Sequence, residues 1–237
     1  MKSLVAALLL SLVSLPALAL ELTSRRLDVS GQIDTKAGAK LASDLLKLDE
    51  DGAEPIYLLV TANGGSAQGV MVVADAIKAM KSPVVAVVLT PVSGAGATLP
   101  LFTDRVVMLP SAQLVLTDVD YEGVAKPSTD KPAPDAKPPS KADTFMQKVR
   151  ADYLAKFWAA VGKRLGGQSG PGLQAEIEGN GGKVVTADEA LKQKIAFEIV
   201  QSLETPNAPN EKTELKTTTT RTITRTVPTP TPKLGTN

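Results

Sequence analysis

The period of the apolar positions changes several times along the chain, and each change predicts an element. Two runs of mostly branched apolar residues, Ile56 to Val60 and Val84 to Leu89, are bounded by small-residue turns, as strands buried on both faces are. Between them Gln68 to Met80 carries its apolar residues at helical spacing, so the stretch reads as a βαβ unit. Parallel strands need a crossover, and ligands of open α/β sheets collect at the carboxyl ends of the strands. The loops Asn63-Gly64-Gly65-Ser66 and Ser93-Gly94-Ala95-Gly96 are therefore expected side by side.

On the N-terminal side, alternation from Arg25 to Ile33 predicts a strand, and Asp34 or Thr35 caps a helix running to about Asp49 with Leu41, Ala42, Leu45 and Leu48 buried. Beyond the central unit, Arg105 to Leu109 and Gln113 to Thr117 are short strands split by the turn at Pro110-Ser111. A long helix starts at Ser140 or Asp143. Its stripe of Met146, Val149, Tyr153, Phe157, Val161 and Leu165, with Trp158 beside it, ends at Gly166-Gly167. A helical stretch from Gly170 to Glu178, a turn at Asn180-Gly181-Gly182, a capping box at Thr186 to Glu189 and a closing strand from Ile195 to Val200 complete the domain.

Three segments fall outside that pattern. Residues 1–19 combine Lys2, an apolar run from Leu4 to Leu15 and the small-x-small site Ala17-Leu18-Ala19, which predicts a signal peptide, a mature chain starting at Leu20, and a periplasmic or secreted location. Residues 119–142 hold five prolines among Lys, Asp and Ala, and predict a solvated insertion in a domain that spans 20–204. Residues 205–237 hold twelve Thr and five Pro, with too few apolar residues for a core, and predict a disordered tail.

Composition narrows the chemistry. Aromatic residues make up 3% of the chain, so the core is built from Val, Leu, Ile and Ala, which suits a parallel sheet covered by helices. Loss of Lys2 with the leader balances the 26 basic against the 25 acidic residues, and this leaves no electrostatic footprint for nucleic acid. There is no Cys, hence no disulfide, and no His at all.

Several of these residues carry a resemblance. Arg26-x-x-x-x-Gly31-x-Ile33, Ile56-x-Leu58 leading to Asn63-Gly64-Gly65-Ser66, Asp75-Ala76-Ile77, Leu109-Pro110 and Thr186-Ala187-x-Glu189-Ala190 occur in the order and spacing of the proteolytic subunit of the Clp protease. More broadly the chain resembles the crotonase-like superfamily that includes signal peptide peptidase A. The resemblance implies an α/β fold, a repeated ββα spiral with a mainly parallel sheet and helices outside. It also implies a closed homo-oligomer, a peptide or protein ligand, and neither cofactor nor metal. No ATPase partner is expected outside the cytoplasm. Carried over by spacing, the oxyanion donors fall on the backbone of Gly65 and Ala95, the nucleophile on Gly94, the base on Thr117 and the acid near Glu178.

Gly94 has no group to attack with, and a chain without His has no imidazole base. The reading that follows is a non-catalytic scaffold that binds peptide or protein. The alternative is an ATP-independent serine endopeptidase using Ser93, one residue before Gly94, with a lysine base; Lys126, Lys131, Lys137, Lys141 and Lys183 are the lysines considered for that role. Acyl-CoA chemistry of the crotonase type ranks third, because its substrate is scarce beyond the inner membrane.

Overall fold

A computed structural model of the chain describes residues 19–124 and 140–204. Nearly all of the anticipated leader, the central part of the anticipated insertion and the whole anticipated tail lie outside the described residues.

Two sheets are threaded alternately by the chain. The larger runs β2 (Arg26–Val29), β3 (Ile56–Val60), β4 (Val84–Val88), β6 (Arg105–Met108) and β9 (Glu198–Ile199) in that spatial order, all parallel. The smaller orders β5 (Val92–Ser93), β7 (Gln113–Leu116) and β8 (Lys183–Thr186), with β5 parallel and β8 antiparallel to β7. The chain passes from the large sheet to the small one at β4 then β5 and at β6 then β7, and returns from the small sheet to the large at β8 then β9. Isolated bridges from Ile33 to Gly65 and from Asn63 to Ser93 continue the small layer back to the first crossover. This is the mixed α/β, mainly parallel architecture that the resemblance implies.

Burial on both faces explains why β4 reads as an unbroken apolar run, since all five of its residues are buried. One face packs Leu58, Val60, Ala86, Val88 and Met108 under α1 (Thr35–Glu50) and α2 (Ala67–Ala79). The other packs Val85, Val87 and Val107 under a strand pair absent from the sequence reading, β1 (Ala19–Glu21) parallel to β10 (Ser202–Glu204). Leu22, next to β1, is buried there.

Asp34 accepts from the Ala37 amide to start α1 and Ser140 with Asp143 forms a capping box on α4 (Lys141–Arg164), as predicted, while Ser66, a cap the sequence pattern did not single out, accepts from Gly69 to start α2. Thr186 and Glu189 form the capping box of α6 (Ala187–Lys192). The first strand is shorter than anticipated and ends at Val29, while the closing strand shrinks from Ile195–Val200 to Glu198–Ile199. After the short α3 (Ala95–Thr98) the chain tightens to a 3-10 turn at Leu99–Phe102 that accommodates Pro100, whose ring has no amide to continue an α-helix.

The stripe on α4 needs correction. Its C-terminal half is core, with Leu154, Phe157, Trp158 and Val161 buried, but Met146 is exposed, as is its neighbour Phe145. Leu154 and Trp158 belong to the buried face and displace the anticipated line by one position.

Candidate functional site

The two glycine loops meet where the small layer begins. The Gly64 amide donates to the Ser93 carbonyl at 2.9 Å, and the Gly94 amide to Val115 on β7 at 3.1 Å, so the 63–66 loop, β5 and β7 lie in sequence across one surface. Gly94 caps the N-terminus of α3 with φ 55° and ψ −128°. That is a sharp strand-to-helix turn in a region of backbone space that L side chains rarely adopt. The amides of Gly65 and Ala95 donate to no protein acceptor among the described residues. Two unspent donors beside such a turn are what an oxyanion site requires of its backbone.

The direction of the missing side chain at Gly94 is informative. A Cβ built there would lie 3.2 Å from the Gly64 Cα and 3.5 Å from Thr117 Oγ1. Gly94 therefore faces Thr117, the first residue after β7, across a gap one small side chain wide. From the other side, a Cβ at Gly182 would lie 3.3 Å from Thr117 Cγ2 and 3.1 Å from the Leu116 carbonyl oxygen. Gly94, Thr117 and Gly182 thus form a line of three positions in which a side chain placed at either glycine would meet Thr117, and only the middle one has a side chain.

Glu178 is not on that line. It is exposed on α5 (Gly170–Asn180) and accepts from Gln174 Nε2 at 2.9 Å, one turn back on its own helix. Its sequence position suggested an acid before the last helix, but Gly182, at the turn into β8, is the residue that meets Thr117. A glycine carries no chemical signature, so nothing in the sequence marked it.

Ser93, on β5, donates its hydroxyl to Asn63 Oδ1 at 3.2 Å. An amide oxygen is no base, so this bond leaves the hydroxyl unactivated. Of the lysines considered, Lys126, Lys131 and Lys137 lie outside the described residues, and Lys141 is exposed at the start of α4. Lys183 donates to Glu176 Oε2 at 3.1 Å and Gln168 Oε1 at 3.3 Å. Both of its contacts tie it to the α5 side of β8, and neither is to Ser93. Among the described residues no group of three His, Cys, Asp or Glu is placed to hold a metal ion.

The segment after Thr117 is anchored, although it was anticipated as the start of the solvated insertion. Val119 is buried, Asp120 bridges Ser66, and the Ala67 amide donates to the Asp120 carbonyl at 2.9 Å. Glu122 Oε1 accepts from Ser66 Oγ at 2.5 Å and from the Thr35 amide at 2.6 Å, at the first residues of both α1 and α2. The hydroxyl of Ser66 above all holds its carboxyl below the usual glutamate range, against the opposing effect of burial and with a lesser contribution from the Thr35 amide. The Gln68 side chain and the Glu122 backbone exchange two further bonds, Gln68 Nε2 donating to the Glu122 carbonyl at 3.3 Å and the Glu122 amide donating to Gln68 Oε1 at 3.1 Å. The strap fixes the rim of the loop that presents the Gly65 amide.

A family model described as Clp protease matches residues 17–129, just under half of the 237-residue chain. The matched region is Clp-protease-like and contains Gly65, Ser93, Gly94, Ala95 and Thr117; Glu178 and Gly182 lie beyond it. No curated protein matches the chain.

Proposed function

We propose that this protein is an exported member of the Clp-protease-like group that no longer cleaves peptides and serves as an oligomeric scaffold binding peptide or protein. The observation that carries the reading is the Gly94-Thr117-Gly182 line. The residue facing Thr117 at the strained turn has no nucleophile, Thr117 is no base at neutral pH, and the third position has no acid. Retention of the turn and of the Gly65 and Ala95 donors without the reacting groups fits a frame kept for binding and assembly. Export follows from the leader pattern of residues 1–19, and assembly from the Clp-like resemblance.

The test is to treat purified mature protein with a fluorophosphonate probe and with fluorogenic peptides. Neither labelling nor hydrolysis is expected. Labelling that disappears in Ser93→Ala would sink the reading and put a serine peptidase in its place.

A further inference from the structure

The edge of the large sheet at β9 carries a surface that the Gly94 line does not use. Arg105 at the start of β6, Arg164 at the end of α4 and Lys194 just after α6 line a pit of about 100 Å³ floored by Pro100, Leu101 and Ile195. Among the described residues none of the three has a carboxylate within ion-pairing distance. Asp104 also lines the pit and the trough beside it, its Oδ2 accepting from the Val84 amide at 2.7 Å, so one carboxylate stands against three cations. The pit therefore keeps a surplus of positive charge. Lys194 is held at φ 59°, alone among the described non-glycine residues in having a positive φ.

A wider trough of about 430 Å³ adjoins it, sharing Arg105, Lys194 and Ile195 and adding Leu191 and Phe197. Phe197 is 62% exposed and Leu191 43%, and the Arg105 guanidinium lies over the Phe197 ring at 4.7 Å from its centroid. In a chain with four Phe, a largely exposed ring stacked by Arg105, with Arg164 and Lys194 nearby and without a carboxylate partner among the described residues, is a binding feature rather than core.

We propose that this edge binds the C-terminal residue of a peptide or protein, with the terminal carboxylate in the cationic pit and the apolar side chain of that residue against Leu191 and Phe197. The pit is too small for a whole residue but suits a carboxylate, which an Arg fork grips with two parallel bonds. The partner must present a carboxylate and an apolar group side by side. In an extended segment side chains on one face are two residues, about 7 Å, apart, so an internal acid and an apolar side chain present their groups farther from each other. A C-terminal residue carries both groups on one Cα. The proposal goes beyond the scaffold reading, and its test does not involve the Gly94 line.

The test is fluorescence polarisation of the full mature protein with fluorescein-labelled Ser-Gly-Ser-Leu-Leu, as the free acid and as the C-terminal amide. The acid is expected to bind at least about tenfold more tightly than the amide, and to weaken as salt rises from about 0.05 to about 0.5 M. Arg164→Gln is expected to weaken it about tenfold or more. Lys194→Gly should do the same while relieving a strained backbone, which separates lost binding from lost folding. Equal affinity of acid and amide, or no binding of the acid up to about 1 mM, would overturn the proposal. So would a fall in native mass on Phe197→Glu, which would assign this edge to a second copy of the chain; an unchanged mass is expected.

Discussion

Restoring a side chain at Gly94 has a cost that its backbone makes readable. With φ at 55° and the Gly64 Cα 3.2 Å from any added Cβ, Gly94→Ser must shift its neighbour by a few tenths of an ångström and hold an L residue in a strained region. Strain of this kind costs on the order of 1–3 kcal/mol. In a domain of this size that lowers Tm by roughly 2–10 °C, measurable by calorimetry. Gly94→Ser alone is expected to stay inert, because Thr117 cannot take its proton. Adding Thr117→His and Gly182→Asp fills the line from both sides, and hydrolysis about 10²–10⁴-fold above the uncatalysed rate is the expected gain if the Gly65 and Ala95 amides still act on an oxyanion. A triple variant that folds yet reacts with no fluorophosphonate would remove the line as a former active site. Glu122 gives a second residue-level expectation. Its folded pKa is depressed, so its contribution to stability is full above the ordinary glutamate pKa and is lost as pH falls through the folded value. Wild type should therefore lose more stability than Glu122→Gln between about pH 5 and about pH 3 in parallel urea titrations. Equal losses would mean that the strap is held by its backbone bonds alone.

At the scale of elements, α4 is divided by its own burial. Lys141 to Lys148 has only one side chain that is not exposed, whereas Leu154 to Val161 packs on the 3-10 turn through the Phe102–Phe157 ring pair. Amide exchange is expected to be fast through the first two turns and slow from Leu154 onward, and uniform protection would show that another surface covers the first half. Trp158→Ala removes the most voluminous fully buried side chain and should cost about 3–5 kcal/mol by urea unfolding. The sequence showed such elements unevenly, for physical reasons. α1 and α2 were legible to within about two residues, from the cap at Asp34 and the apolar spacing of Gln68 to Met80, and the start of α6 from its capping box at Thr186. β3 and β4 were legible because burial on both faces writes an unbroken apolar run. The face of α4 was misjudged because an overhanging helix can keep apolar residues such as Phe145 and Met146 in water, and periodicity alone cannot tell overhang from core. β1 and β10 were invisible because three-residue strands carry no period. At the site, the two loops were legible from their glycines and their strand ends, but Gly182 was not, since its role depends on what lies across from it. Nor does composition reveal that Glu122 reaches back over 56 residues to Ser66.

For the molecule as a whole, the pair of β1 and β10 decides what a cleavage near the N-terminus could remove. This pair closes the second face of the large sheet, with Leu22 2% exposed over Val85, Val87 and Val107, and Leu20 and Leu203 packed alongside. Cleavage after Ala19 would forfeit only the Ala19–Ser202 partnership and keep those of Leu20 with Leu203 and Glu21 with Glu204. Cleavage three residues later would strip Leu20 to Leu22 and open an apolar face. The position of the small-x-small site and the positions of β1 and the buried Leu22 therefore constrain each other. N-terminal sequencing of protein from the extracytoplasmic fraction is expected to begin at Leu20, and a chain still beginning at Met1 would refute export with processing. Independently of export, a chain starting at Thr23 should be less stable than one starting at Leu20 by about 2–5 kcal/mol. That figure comes from withdrawing one fully and one partly buried leucine at the usual cost of exposing such a side chain. Urea unfolding of the two chains measures the difference directly. Equal midpoints would mean that β10 alone covers Val85, Val87 and Val107, and the cut site would then be free of any structural constraint.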